Sequence, residues 1–250
     1  MKRELASWID VKVGSKRSLL SLLGKLVFMS RVIRPGRTFS RRLFDLSMKY
    51  KYLHYKVKLT KDAREDIVWW LNCVDQWNQK SLFIDDFWST SACLHLMTDA
   101  SDLGIGAVCG SSWFASPLSV QEKEMSINWR ELFAVVTACR VWGSKLSTKK
   151  VLLHCDNESV VNIVNSGTSK CRDLMCLVRV LHTICVKNKF EVRLVHIASV
   201  ENIGADKLSR LEVLGFFKAF PGIYDRDPIP LGRPQILKSG EIAVDFVVRA

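Results

Sequence analysis

Four acidic residues occupy positions at which α/β proteins often gather reactive side chains. They fall at predicted strand ends and helix starts: Asp99, Glu131, Asp156 and Asp206. Such positions meet at one edge of a sheet, where bound cations relieve the repulsion between carboxylates. Oxygen-only ligands suit Mg²⁺, and a pair of these ions promotes phosphodiester hydrolysis. Each acid alone is more typical of a helix cap or a turn, so it is the set that favours a metal site.

The elements that must position these acids are predicted from hydrophobic periodicity between residues 92 and 212. Apolar residues alternate or run together where strands are expected, over residues 94–99, 104–110, 112–120, 151–155 and 191–198. They recur at helical spacing over residues 129–142, 157–167, 172–186 and 206–211. The continuous apolar strand is typical of the interior of a sheet that is covered on both faces. The order of elements predicts a mixed α/β unit.

The first 88 residues differ from this unit in charge. Residues 1–80 contain 18 of the 37 Lys and Arg residues but only 7 of the 25 Asp and Glu residues. Apolar helical faces in the same stretch predict a small basic helical domain. Its charge favours a phosphate-binding surface, with a solvated helix face as the alternative. Trp69, Trp70 and Trp77 lie at helical spacing, which favours core packing over stacking on bases.

The acidic motifs resemble those of type 1 ribonuclease H domains, in the version found in retrotransposon reverse transcriptases. The similar stretches cover residues 98–101, 104–108, 128–132, 154–157 and 205–210. His196 and Asn202 precede Asp206 by ten and four residues, which matches the family's H-x5-N-x3-D arrangement. In the basic domain, the matching stretches resemble the thumb or connection region of the DIRS group of tyrosine-recombinase retrotransposons, over residues 16–26, 34–37 and 63–70.

The resemblance implies an RNase H-like fold, a mixed five-stranded sheet with helices on both faces, over residues 89–212. A basic thumb-like or connection-like domain over residues 1–88 would precede it, and a tail over residues 213–250 has no assigned role. The implied activity is metal-dependent endonucleolytic cleavage of the RNA strand of RNA–DNA hybrids. The cofactor would be two Mg²⁺ ions, which Mn²⁺ can replace, with Asp99 bridging both ions. Asp206 would help hold the ion that activates water, and the other two acids, Glu131 and Asp156, would complete the second site.

Further roles follow from the same resemblance. His196 would assist catalysis, although a histidine at a strand end is also typical of a hydrogen-bonded surface residue. Contacts with the hybrid are expected from Ser101, Asn157, Asn202, Arg34, Arg37, Arg41 and Arg42. Only residues 166–169 separate two predicted helices, which leaves no room for the basic handle helix that some relatives use. The basic first domain is expected to grip the hybrid instead.

Two other functions are compatible with these motifs. A domesticated or inactive module derived from the same element would bind nucleic acid without cutting it, although four intact acids favour an enzyme. A transposase of the same fold would more typically have Glu at the last acidic position, where this chain has Asp206. Residues 83–86 fit the aromatic-x-Asp-Asp pattern of polymerases, but their position after the thumb-like segment predicts an acidic linker.

The composition predicts an intracellular protein. None of the eight cysteines forms a C-x-x-C pair, which favours reduced thiols over a zinc site. The N-terminus lacks the apolar segment of a secretory signal, and no run approaches the roughly 20 apolar residues that span a bilayer. We expect a cytoplasmic or nuclear protein with no membrane partner. Its expected partners are the hybrid and either the missing polymerase palm or another element-encoded protein.

Overall fold

Two units make up the chain, Met1–Phe83 and Ile84–Ala250. The computed structural model describes residues 1–10, 13–76, 88, 94–222, 224–225 and 227–231, without the side chain of Arg34. The placement of the domain boundary after residue 88 stays a prediction. Trp77, Cys93 and the polymerase-like residues 83–86 lie outside the described residues.

The N-terminal unit is helical, as its sequence predicts. Its elements in chain order are α1 Lys2–Asp10, β1 Val13–Ser15, α2 Lys16–Met29, a 3₁₀ segment Arg34–Ser40, α3 Arg41–Met48, β2 Lys56–Lys58 and α4 Lys61–Gln76. Helix α1 is not predicted from the sequence, because its hydrophobic periodicity extends over too few residues to be recognised. Strands β1 and β2 pair antiparallel. Thr60 caps the start of α4, since the Ala63 N–H donates to Thr60 Oγ1 at 3.2 Å.

The tryptophans of α4 serve the core of this unit. Trp70 has no exposed surface and donates its indole N–H to Ser40 Oγ at 3.3 Å. Trp69 stacks on Phe39 with 3.8 Å between ring centroids. Both rings are therefore occupied by packing within the unit, and the preference for core packing is confirmed for these two residues.

The second unit contains a mixed five-stranded sheet. Its strands are β3 Leu96–Ala100, β4 Gly104–Cys109, β5 Ser112–Pro117, β6 Lys150–Cys155 and β7 Glu191–His196. The strand order is β5-β4-β3-β6-β7, with antiparallel pairs from β3 to β5 and parallel pairs from β3 to β7. All five predicted strands are confirmed. The apolar strand β6 lies between two neighbours, as its composition predicts.

Helices cover both faces of this sheet. They are α5 Val120–Lys123, α6 Ile127–Val141, α7 Glu158–Ser166, α8 Arg172–Asn188, α9 Ile203–Ser209 and α10 Val213–Ala219. Side chains alternate between two cores, because successive strand residues point to opposite faces. Leu96 and Phe114 join the core under α6, α7 and α8, whereas Met97 and Trp113 join the core under α9 and α10. Among the helices within the described residues, none combines the length and apolar character that a membrane crossing requires.

Two boundaries differ from the sequence prediction. Helix α9 begins at Ile203, three residues before the predicted start, and Asp206 lies in its first turn. Part of the predicted tail forms α10, whose Phe216 is fully buried at a ring-centroid distance of 5.6 Å from Trp113. This short helix was overlooked because its apolar pattern covers only two turns. Residues 213–219 therefore belong to the folded unit.

A glycine in β4 controls how closely α9 approaches the sheet. A Cβ atom at Gly106 would come within 2.5 Å of Leu208 Cβ and 2.7 Å of the Ala205 carbonyl oxygen. The sequence predicts close approach of a neighbouring strand at these glycines, and the closest contacts of Gly106 come from a helix. Because α9 carries Asp206, Gly106 sets the distance between that acid and the sheet.

Candidate active site

The four predicted acids line one open cleft. Asp99 is in β3, Glu131 is in α6, Asp156 directly follows β6, and Asp206 is in α9. The cleft has a volume of about 320 Å³, and its rim includes Ser101, Asp102, Ser199 and Arg210 as well as the four acids. The parallel pairing of β3 with β6 brings Asp99 and Asp156 to the same edge, as the element order predicts.

Asp99 lies at the floor of this cleft and is only 6% exposed. Burial, together with the charges of Asp156 and Asp206, raises the pKa of its carboxyl group to about 6. A hydrogen bond from Ser209 and the charge of Arg210 act in the opposite direction. A cation that enters the cleft would therefore stabilise the ionised form of Asp99, because it offsets both the lost hydration and the neighbouring negative charges.

Glu131 carries the larger electrostatic cost. It is 5% exposed, and burial, followed by the charges of Asp99 and Asp156, raises the pKa of its carboxyl group to about 9. The Ala100 N–H donates to this carboxyl group, but Glu131 Oε2 is buried and has no hydrogen-bond partner among the described residues. A buried oxygen without a partner is costly, and its position in an acidic cleft fits a bound cation.

The donor chemistry of the cleft favours a hard cation. Ligand atoms of Glu131, Asp156 and Cys155 all lie within 4.8 Å of one another. Burial raises the pKa of the Cys155 thiol well above its usual range, so the sulfur stays protonated. Hard divalent cations prefer oxygen to sulfur, so the carboxylate oxygens of Glu131 and Asp156 are the ligands suited to such an ion. The residues present therefore fit a divalent cation of the Mg²⁺ type.

Two polar contacts hold the more exposed acids in place. Ser199 Oγ donates to Asp156 Oδ2 at 2.8 Å, and Arg210 Nε donates to Asp206 Oδ1 at 2.8 Å. Sequence reasoning overlooked both as site residues. The spacing of Asp206 and Arg210, four residues apart on a helix, is a signal that would have found the second contact. Ser199 has no such signal, because its position depends on the turn after β7.

His196 lies beside the cleft at the end of β7. It is exposed, and its Nε2 is 3.2 Å from the carbonyl oxygen of Asp156. The register of the parallel strands pairs His196 with Cys155, next to Asp156. The structure thus brings His196 to the same sheet edge as the acids.

The polar residues predicted to contact the hybrid are used mainly within the protein. Ser101 lines the cleft, and its hydroxyl donates to the Ser209 carbonyl at 2.8 Å. Asn157 caps α7 and donates to Asn128 Oδ1 at 2.9 Å. Asn202 is completely buried and donates to the Thr98 carbonyl at 3.0 Å. The prediction that Asn202 contacts nucleic acid is therefore wrong in this conformation, because its side chain ties α9 to β3.

The arginines predicted for the basic domain fall into different environments. Arg41 pairs with Asp45 at 3.0 Å. Arg42 is 22% exposed and lies 3.1 Å from Glu65, with further acidic neighbours at Asp62 and Asp66. Arg37 is exposed and forms no ion pair with any described residue, whereas Arg34 is described only in its backbone, within the 3₁₀ segment. The predicted binding surface is therefore wrong for Arg42, whose charge is neutralised internally.

Comparison with known proteins agrees with this fold. The sequence profile of a family described as "RNase H-like domain found in reverse transcriptase" matches residues 89–184. A search of curated proteins finds no match. The strand order of the sheet and this match together indicate that the second unit has an RNase H-like fold.

Three solved structures are similar at low identity. LC11-RNase H1, isolated from compost by a metagenomic approach, is 21% identical over 48% of this chain and 96% of that chain, with a TM-score of 0.38. The prototype foamy virus protease-reverse transcriptase is 13% identical over 71% of this chain and 24% of that chain, with a TM-score of 0.28. A foamy viral protease-reverse transcriptase in complex with an RNA/DNA hybrid is 10% identical over 94% of this chain and 29% of that chain, with a TM-score of 0.29. This chain thus spans less than a third of either viral chain.

Proposed function

We propose that the second unit is a ribonuclease H that hydrolyses the RNA strand of RNA–DNA hybrids with divalent metal ions. The observation that carries this proposal is the convergence of four carboxylates on one open cleft in which Glu131 Oε2 is buried without a partner. A binding module has no need to keep such an arrangement, because uncompensated acids destabilise the fold and repel a polyanion. The cleft lies on a fold whose family match is to the RNase H-like domain of reverse transcriptases.

The metal ligands are the four cleft acids. Asp99, Glu131, Asp156 and Asp206 would together hold two Mg²⁺ ions, which Mn²⁺ can replace. When bound, the ions would supply an activated water and charge compensation for phosphodiester hydrolysis. The chain's own contribution is orientation: Ser199 fixes one oxygen of Asp156, and Arg210 fixes one oxygen of Asp206. Binding of the ions would release protons from Asp99 and Glu131, because the pKa values of both carboxyl groups are raised.

His196 is proposed to move protons or to speed product departure. Its exposed ring beside Asp156 touches neither Asp99 nor Glu131 in any described contact, so it is not expected to hold the ions. His196→Ala should lower turnover by less than Asp99→Asn does, with the Mg²⁺ dependence unchanged, because general acid–base groups add to a metal-dependent rate. Steady-state cleavage rates over a range of Mg²⁺ concentrations measure this. A change in the circular dichroism spectrum would instead identify His196 as a structural residue.

The proposed biological setting is the reverse transcriptase of a DIRS-group retrotransposon. The thumb-like stretches of the sequence form α2, the 3₁₀ segment and α4, which supports a helical domain of that type. In that setting the partners are the RNA–DNA hybrid and a polymerase palm encoded by the same element. Sequencing of the flanking genomic DNA tests this, since a palm reading frame upstream and a tyrosine recombinase gene nearby are expected. A different neighbouring integrase would contradict the assignment to this group.

One assay tests the activity. Purified full-length protein is incubated with an end-labelled RNA–DNA hybrid in Mg²⁺, in Mn²⁺ and in EDTA, with single-stranded RNA, duplex RNA and duplex DNA as controls. We expect cleavage of the RNA strand in the hybrid alone, with 5′-phosphate and 3′-hydroxyl ends and with loss of cleavage in EDTA. Binding of the hybrid without cleavage in either metal would instead favour the inactive nucleic-acid-binding module.

A further inference from the structure

The loop between α3 and β2 in the N-terminal unit carries an unusual set of exposed side chains. This aromatic loop, residues 49–56, has the sequence Lys-Tyr-Lys-Tyr-Leu-His-Tyr-Lys. Tyr52 is 46% exposed and Tyr55 is 42% exposed, and His54 between them is exposed as well. Aromatic rings are normally buried because of their large apolar area, so three neighbouring exposed rings require an explanation.

The three rings form one cluster. Tyr52 and His54 are stacked with 5.8 Å between centroids and an interplanar angle of 13°. Tyr55 meets both edge-on, at 5.1 Å from Tyr52 and 5.0 Å from His54. The rings thus support one another, and they do so while much of their surface remains open to solvent. Rings held in this way lose little conformational freedom when a further flat group stacks on them.

The backbone beneath the cluster is fixed by hydrogen bonds to the start of α2. The Lys16 N–H donates to the Tyr55 carbonyl at 2.9 Å, and the Arg17 N–H donates to the Leu53 carbonyl at 2.9 Å. The Lys16 ammonium group also donates to the Tyr50 carbonyl. The capping box at Ser15 fixes the start of α2 in turn. The aromatic loop is therefore a preorganised surface and not a freely moving segment.

Positive charge surrounds the rings and is not consumed by ion pairs. Six of the seven acids in residues 1–80 already pair with other cations, namely Glu4, Asp45, Asp62, Glu65, Asp66 and Asp75. The loop and β2 carry four exposed lysines, none of which forms an ion pair with a described residue, at positions 49, 51, 56 and 58. The Lys51 ammonium group lies 5.2 Å from the Tyr52 ring centroid. This lysine therefore places a positive charge directly beside the exposed ring cluster.

We infer that the aromatic loop is a stacking platform for the bases of an unpaired nucleic-acid strand. Open aromatic faces bind bases of any sequence, and free lysines neutralise the adjoining phosphates. Duplex nucleic acid does not fit this surface equally well, because its bases already stack on one another and present only their edges. The arginines first predicted for this domain are partly neutralised, so the lysines of the loop are its more available charges. This site is independent of the acidic cleft and takes a strand that the proposed ribonuclease activity does not cut.

Equilibrium binding of the full-length protein in EDTA tests this inference. The probe is fluorescein-labelled (dT)₂₀, followed by anisotropy, with the (dT)₂₀·(dA)₂₀ duplex as comparison. The double variant Tyr52→Ala and Tyr55→Ala should bind (dT)₂₀ at least about tenfold more weakly, with a smaller loss for the duplex. The matched control is Phe28→Ala, which removes an exposed ring with Arg31 at 5.8 Å from another part of the unit and should change affinity by less than about twofold.

Two further measurements keep the inference falsifiable if the alanine variant is poorly folded. The double variant Tyr52→Phe and Tyr55→Phe retains both rings and should bind (dT)₂₀ within about threefold of the wild type. The double variant Lys51→Ala and Lys56→Ala should reduce the slope of log K against log salt by about 1.4, because each single-strand phosphate contact contributes about 0.7.

Photo-crosslinking of the wild-type protein to an oligonucleotide with 5-iodouracil bases is expected to modify Tyr52, His54 or Tyr55. Unchanged (dT)₂₀ affinity in the alanine variant, an equal loss for strand and duplex, or adducts confined to other regions would each overturn the inference. These results leave the ribonuclease proposal untouched, since the probes lack RNA and the buffer lacks metal.

Discussion

The two units of this chain treat charge in opposite ways. In the second unit, which is nearly neutral overall, Asp99 and Glu131 are buried together and repel each other. In the N-terminal unit, which holds most of the net positive charge, Arg42 is surrounded by three acids. Asp99 and Glu131 of one unit form no ion pair with a described residue, whereas part of the dense basic charge of the other unit is neutralised internally. Charge that the fold leaves uncompensated is therefore a better guide to a site than charge density.

The comparison also separates two kinds of nucleic-acid contact. The cleft acids need cations before a polyanion can approach them, because bare carboxylates repel phosphates. The lysines of the aromatic loop attract phosphates directly, and their effect weakens as salt rises. A protein built from both parts can bind nucleic acid in the absence of metal and cut it only in the presence of metal.

The largest expected effect is on cleavage, from Asp99→Asn. This variant keeps the shape of the side chain but removes the charge of the proposed bridging ligand, so the cleavage rate should fall by roughly a hundredfold or more. Hybrid binding should persist, since it depends mainly on the basic groups. Single-turnover cleavage and anisotropy of a labelled hybrid measure the two properties. Asp173→Asn, in the exposed first turn of α8, is the matched control and should cleave normally. Wild-type cleavage by the Asp99 variant would refute the metal assignment.

Two glycines, one in each unit, should respond in opposite directions to alanine substitution. Gly106→Ala forces α9 away from β4 and should lower the free energy of unfolding by about 1–3 kcal/mol, as overpacked cores do. It should also lower the cleavage rate, because Asp206 moves with α9.

Gly24 is exposed in α2 and has no atom within 4 Å of an added Cβ, so Gly24→Ala should raise the free energy of unfolding by about 0.5–1 kcal/mol. Urea unfolding of both variants measures these changes; destabilisation by Gly24→Ala would contradict the reasoning.

Much of the second unit is predictable from sequence, because its signals are local. Alternation and apolar runs define the strands, and Gly167 ends α7 with a positive φ of 68°, as a helix-ending glycine should. The four acids are found because strand ends and helix starts meet at one edge. Asn202 and Arg42 were misjudged for a different reason. Their environments depend on Thr98 and Glu65, which are 104 and 23 residues away in the chain, and no local pattern encodes such partners.

The arginines of the N-terminal unit should differ in their effect on stability. Arg42 is mostly buried among acids and also donates to the Asp62 carbonyl at 3.2 Å, so Arg42→Ala should cost about 1–3 kcal/mol of unfolding free energy. Arg41 forms an exposed pair with Asp45 four residues away, and Arg41→Ala should cost no more than about 0.5 kcal/mol. Chemical unfolding followed by circular dichroism compares them. Equal effects would mean that Arg42 is as free to bind phosphates as first predicted.

The smallest effect concerns the stability of the metal-free protein as pH changes. The pKa of Glu131 is raised to about 9 in the folded protein, whereas it is near its ordinary value of 4.5 in the unfolded chain. Between these values the folded state holds a proton that the unfolded state has lost, so stability falls as pH rises through this window. Glu131→Gln removes this proton linkage. In EDTA at pH 8 the variant should be more stable than the wild type by about 0.5–2 kcal/mol, as is common when an uncompensated functional group is replaced.

Mg²⁺ should make the wild type more stable than Glu131→Gln, because the cation competes with the proton for the Glu131 carboxylate. Adding Mg²⁺ should raise the melting temperature of the wild type more at pH 8 than at pH 6, and it should raise that of Glu131→Gln by less at both values. Differential scanning fluorimetry at the two pH values, with and without Mg²⁺, measures all four states. Glu124→Gln, which changes an exposed acid in the same unit, is the matched control and should behave as the wild type. If Glu131→Gln and Glu124→Gln show the same pH dependence, Glu131 is not the uncompensated acid of the cleft. The uncompensated charge of the cleft would then have to lie on another of its acids.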